Sequence, residues 1–116
     1  MKTGILRSGE KTLIERVWIA DRFWLRAKGL LGRDSLAENE ALFLAPCASI
    51  HTFFMRFALD VIFVDRQMKV QKVVRNVAPF RLASGGSKTW GVVEMRSGWF
   101  PAEAVREGDA ISLLVP

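Results

Sequence analysis

The stretch from Leu59 to Val77 restricts the fold class more than any other part of the chain. Leu59 to Asp65 is a strand-length run rich in Val, Ile and Phe. Asp65-Arg66-Gln67 supplies a turn. Met68 to Val77 then returns with partial alternation, Val70, Val73 and Val74 against Lys69, Gln71, Lys72 and Arg75. β-Branched and aromatic side chains suit a pleated, half-buried surface, and two such runs joined by a short turn read as a β-hairpin. A second hairpin is expected at the N-terminus, where residues 3–7 and 12–19 flank Ser8-Gly9-Glu10-Lys11. Ala41 to Ala45 reads as a short buried strand ended by Pro46. Thr89 to Met95 reads as a strand broken by Gly98, and Ala110 to Val115 as a last strand after the turn Gly108-Asp109.

Helical signals are fewer. Asp21 suits the N-cap of a helix from Arg22 to Leu31, with Phe23, Trp24, Ala27, Leu30 and Leu31 at helical spacing and Gly32 as a stop. Pro101 suits the first position of one short turn over residues 102–106. Ala83 to Ser87 reads as a flexible loop. About six or seven short strands against one or two short helices predict a mainly β fold. The expected architecture is a single-domain antiparallel sandwich or barrel, jelly-roll-like, spanning residues 1–116, with residues 1–20 as its N-terminal hairpin. The absence of βαβ alternation and of a Gly-rich phosphate loop disfavours a doubly wound nucleotide-binding sheet.

The chain has 116 residues, half of them hydrophobic and a quarter charged, with four Trp and eight Phe. Disorder is excluded by that apolar content. A chain of this length buries roughly two-thirds of its unfolded surface, so one core can hold it. Cys47 is the only cysteine, which excludes a disulfide scaffold. No stretch approaches the roughly 18 apolar residues of a membrane span, and the N-terminus lacks a signal-peptide apolar region. A cytoplasmic protein with a reduced Cys47 and no membrane contact is expected.

The formal net charge is +5, but it is unevenly laid out. Residues 1–33 and 66–97 are basic, at +5 and +6, while residues 34–65 and 98–116 are acidic, at −4 and −2. The two basic segments raise nucleic-acid binding as one reading. It is disfavoured because neither contains a run of adjacent cations.

Chemistry concentrates between Cys47 and Asp60. A thiol, an imidazole, a hydroxyl, a guanidinium and a carboxylate lie within 14 residues, set among Phe53, Phe54 and Phe57. Polar groups in apolar company must be paired or they cost about 1–3 kcal/mol each. One reading is a ligand pocket lined by His51, Thr52, Met55, Arg56 and Asp60, with Glu94 contributing from the apolar strand Val92-Val93-Glu94-Met95. Arg56 would hold a small anionic ligand by forked contacts, and His51 and Thr52 would supply directional hydrogen bonds. A rival reading is a hydrolase, using either Cys47 activated by His51 or an acid–base pair of His51 and Glu94. Cys47, His51 and Met55 are spaced as soft-metal ligands on a helix. The stretch does not read as helix, however, and no second Cys or His closes a zinc site, so no metal or cofactor is expected. The plainest reading is a polar plug in which Asp60 pairs with Arg56 and His51 donates to a backbone carbonyl. For Glu94 the corresponding reading is an ion pair with Arg56 or Arg96. Either hairpin could present an edge strand for homodimerisation.

The run Ile50-His51-Thr52-Phe53-Phe54-Met55-Arg56-Phe57-Ala58-Leu59-Asp60-Val61-Ile62-Phe63-Val64-Asp65 resembles the central signature of the domain of unknown function 192 family. Arg26-Ala27-Lys28-Gly29-Leu30-Leu31-Gly32-Arg33 resembles an earlier element of that family, with Leu31 where Met is more familiar. Val93-Glu94-Met95 before Gly98, and Gly108-Asp109, resemble later ones, so the likeness covers about residues 22–116. The resemblance implies a mainly β, sandwich-like domain and no assigned activity. Many relatives carry a secretion signal or lipid anchor, so a cytoplasmic chain would depart from them. Ala58 replaces a Pro that relatives place two positions before the Asp.

Overall fold

The computed structural model describes residues 2–20, 36–52 and 57–116. Nine strands appear among them: β1 (Lys2–Ser8), β2 (Lys11–Ala20), β3 (Glu40–Leu44), β4 (Ser49–His51), β5 (Leu59–Val64), β6 (Val70–Val77), β7 (Leu82–Ser84), β8 (Gly91–Arg96) and β9 (Ser112–Leu114). Seven form one curled sheet in the order β6-β5-β8-β3-β2-β1-β9, and β4 pairs with β7 separately. The mainly β expectation therefore holds, and both hairpins form where the sequence places them. Every neighbouring pair in the large sheet is antiparallel except β2 and β3, which run parallel, Arg16 opposite Glu40 through Ala20 opposite Leu44.

No helix occurs among the described residues. Residues 101–104 make a turn, closed by the Ala104 amide donating to the Pro101 carbonyl at 3.1 Å, and do not continue into a helix. The expected helix from Arg22 to Leu31 lies outside the described residues, as do Arg26 and Lys28. The loop expected at Ala83–Ser87 begins instead as strand β7. No helix among the described residues is long and apolar enough to cross a membrane.

The central strands β5 and β8 are buried on both sides, which explains their near-continuous apolar sequence. The sheet separates two apolar clusters. On one side Val17, Ala41, Phe43, Ile62, Val93 and Met95 pack with Phe100, Val105 and Ile111. On the other, Leu42, Leu44, Leu59, Val61, Phe63 and Val92 pack with Leu36 and Ile50. The curl brings the chain leading into β9 back to the start of β6. The Val70 amide donates to the Asp109 carbonyl at 2.8 Å, Gly108 to Val70 at 2.8 Å and Ile111 to Met68 at 3.0 Å.

Candidate functional site

Asp60 lies on β5, only 2 % exposed. The ladder between β5 and β6 skips at this point: Leu59 faces Val77 but Val61 faces Val74, so Arg75 and Asn76 together oppose Asp60. That is a β-bulge, and Asn76 takes a left-handed backbone with φ 57°. A bulge leaves an amide without a ladder partner. The Asp60 carboxylate supplies one, its Oδ1 accepting from the Asn76 amide at 2.8 Å and from the Ser97 hydroxyl at 3.0 Å. Its Oδ2 faces Arg75 Nε at 3.7 Å. The Arg75 guanidinium also donates to the Phe100 carbonyl and lies 5.8 Å from the Phe100 ring centroid. Asp60 thus joins β5, β6 and the end of β8, and among the described residues its ion-pair partner is Arg75.

Thr52 is fully buried at the end of β4. Its hydroxyl donates to the Ala78 carbonyl at 2.6 Å and accepts the Arg81 amide at 2.8 Å. Its own amide donates to the Arg81 carbonyl at 2.9 Å, and its carbonyl accepts from Phe80 at 3.0 Å. Every polar atom of Thr52 is engaged in fixing the 78–81 turn. His51 is exposed on β4 opposite Leu82. Met55 and Arg56 lie outside the described residues.

Glu94 sits in the middle of β8, 6 % exposed, facing Leu42 on β3 and Val61 on β5. Directly opposed residues point to one side, so its neighbours in the row across the sheet are Val74, Val61, Leu42 and Trp18. Arg96, two residues on, places its guanidinium 5.4 Å from the Phe57 ring centroid rather than against Glu94. No hydrogen bond or ion pair to Glu94 occurs among the described residues, so the expected pairing with Arg96 does not form. Burial pushes the carboxyl up from 4.5 to about 7. Asp60 faces Met95, on the other side of the sheet. The two buried carboxylates therefore do not converge. Ile50, Phe57 and Leu59, which lie on either side of residues 51–56, pack in the same cluster as the neighbours of Glu94.

A cleft of about 660 Å³, which the sequence did not single out, opens at the opposite end of β5 and β8. Its walls are Pro46 to Ala48, the β5–β6 turn with Asp65 and Arg66, and the β7–β8 turn from Ser87 to Trp90. Cys47 is half-buried there, its amide donating to the Trp90 carbonyl at 2.7 Å and its thiol to the Ser49 carbonyl at 3.0 Å. The only sequence signal for this cleft is that Arg66 and Lys88 punctuate two turns of the basic segment 66–97. Among the described residues no group of three His, Cys, Asp or Glu side chains is arranged to hold a metal ion.

The sequence matches the DUF192 family, described as an uncharacterized ACR, over residues 5–113. A UPF0127 protein of Thermococcus sibiricus is 41 % identical over 81 residues, which are 63 % of this chain and 51 % of that protein. The chain spans about half the length of this curated relative. Two crystal structures share the fold. A protein of unknown function from Novosphingobium aromaticivorans has a TM-score of 0.79 at 22 % identity, over 95 % of this chain and 83 % of its own. A protein of Sinorhizobium meliloti described as a candidate transcription regulator has a TM-score of 0.78 at 16 % identity, over 97 % and 92 %.

Proposed function

We infer, for a chain that belongs to the DUF192 family by a match over nearly its whole length, that it is a small-ligand-binding module with Glu94 as its polar anchor. One observation carries the reading. A carboxyl in the central strand, walled by Leu42 and Val61, has no hydrogen bond or ion pair among the described residues. Burying such a group without a partner costs about 1–3 kcal/mol, and that cost is offset when a ligand supplies the partner. The ligand is a small acid that also carries a hydrogen-bond donor. Its donor meets Glu94, and Arg56, which lies outside the described residues, is the candidate partner for its anionic end. Thr52 and Asp60 support this arrangement by holding the flanks of the 51–60 segment. Their polar atoms are engaged by the chain itself, so they position rather than contact.

A carboxyl that changes charge near pH 7 also suits proton transfer, which keeps an acid–base enzyme centred on Glu94 as the second reading. Thermal-shift measurement with a panel of small hydroxy and amino acids tests the binding reading. At least one should raise the melting temperature of the protein and fail to raise that of Glu94→Gln. A panel that stabilises both proteins equally, or neither, overturns it.

A further inference from the structure

The cleft beside Cys47 is independent of the Glu94 face and is built differently. Its backbone frame is tied on three sides. Cys47 is bonded to Trp90, Trp90 donates to the Val64 carbonyl at 2.8 Å, and Gly85 donates to the Ala48 carbonyl at 3.1 Å. Gly85 is required there, because a Cβ at this position would fall 2.5 Å from Phe63 Cβ and 2.3 Å from Thr89 Oγ1. The turn beyond it is closed by the Thr89 amide donating to Gly86 at 3.2 Å. A turn so closed leaves its two central amides, here of Ser87 and Lys88, outside its own hydrogen bond.

Charge in the cleft is unbalanced. Arg66, Lys88 and Asp65 line it. The Asp65 carboxylate is already engaged by its own turn: Oδ1 accepts from the Gln67 and Lys69 amides at 2.9 Å, and Oδ2 from Gln71 Nε2 at 3.2 Å. Arg66 and Lys88 have no carboxylate within ion-pair distance among the described residues. The Arg66 guanidinium instead lies 6.0 Å from the Trp90 ring centroid, and Trp90 packs on Phe43 at 6.0 Å and 58°. Two cations outside ion-pair distance of any described carboxylate, turn amides, a hydroxyl and an indole therefore border one preformed space of about 660 Å³, with a net charge of +1 once Asp65 is included. Sites for small ligands span about 300–1,000 Å³.

We propose that this cleft binds a small organic phosphate with a flat apolar body. Arg66 makes forked contacts to the phosphate and Lys88 adds a point charge. Ser87 and the turn amides complete the oxygen shell, and the flat body lies against Trp90 and Pro46. A phosphate monoester offers about two negative charges and three oxygens to the two cations and the turn amides, whereas a carboxylate offers one charge and two oxygens.

Titration of the ¹⁵N-labelled protein at constant ionic strength with phenyl phosphate, and separately with benzoate, tests the assignment. Saturable shifts are expected at the amides of Gly86 to Thr89 and at the Trp90 indole, with phenyl phosphate binding about tenfold more tightly than benzoate. Arg66→Gln combined with Lys88→Gln should weaken phenyl phosphate about tenfold or more. Both side chains are exposed, so the melting temperature should hold. Glu94→Gln should leave the titration unchanged, which separates this site from the second sheet face. Shifts scattered over the surface, equal affinity for benzoate, or undiminished binding by the double variant would each overturn the proposal.

Discussion

Asp60 and Glu94 occupy adjacent strands of one sheet and point to opposite sides of it, Asp60 facing Met95 and Glu94 facing Val61. The difference in environment follows from the register. Asp60 meets a bulge that offers an amide, a hydroxyl and a guanidinium. Glu94 meets Leu42 and Val61. Two carboxylates of similar burial thus sit in different surroundings, one met by hydrogen bonds and an ion pair and one facing apolar side chains.

Glu94 should make stability fall as pH rises. Its carboxyl is raised to about 7 in the folded state against 4.5 as a free side chain. Between these values the folded chain holds a proton that the unfolded chain has lost, so unfolding releases one proton and folding takes one up. The contribution is full below about pH 4.5 and lost as pH passes 7, a change of about 3 kcal/mol from the separation of the two values. Glu94→Gln removes this dependence. Urea unfolding from pH 4 to 8 should show the variant gaining on the parent protein as pH rises, and parallel curves would contradict the assignment.

Asp60→Ala should cost about 1–3 kcal/mol, because it leaves the Asn76 amide without its acceptor, while Arg75 stays partly solvated and bonded to the Phe100 carbonyl. Asp60→Asn retains an acceptor and should cost less. Equilibrium denaturation ranks the two, and equal losses would show that the negative charge, not the acceptor, matters.

Thr52→Val keeps the shape of the side chain and removes its hydroxyl. The Ala78 carbonyl and the Arg81 amide then lose a buried partner, at about 1–3 kcal/mol. Hydrogen exchange at the Arg81 amide should quicken more than exchange in β8. Uniform acceleration would mean that Thr52 acts on global stability alone.

Gly85→Ala should destabilise by about 1–3 kcal/mol through overpacking against Phe63 and Thr89. Gly86→Ala, where no atom lies within 4 Å, meets only the backbone strain of φ +98°. Calorimetry on both separates crowding from conformation.

The sequence identified both hairpins and the strands at β3, β8 and β9, because β-branched runs bounded by Gly, Pro and Asp carry a local signal. The strands β4 and β7 have three residues each, too few for a period to show. The parallel pairing of β2 with β3 joins segments about 20 residues apart, and nothing local encodes it. Thr52, Asp60 and Glu94 were singled out as polar residues in apolar company, and all three are buried. Sequence proximity groups Thr52 with Asp60, and Glu94 joins them only as a carboxylate on an apolar strand. Side-chain direction depends on the strand register, which opposes Asp60 to Met95 and Glu94 to Val61. The Arg75 partner of Asp60 was hidden because a bulge, not a spacing rule, brings it there.

The stretch from Gly108 to Leu114 touches both flanks of the large sheet, through β9 against β1 and through Asp109 and Ile111 against the start of β6. A sheet that curls onto itself in this way offers neighbouring molecules less bare backbone to pair with. Seven residues thereby act as a guard against strand-by-strand aggregation. Damage to them would show first as lost solubility, before any change at Glu94 or in the cleft.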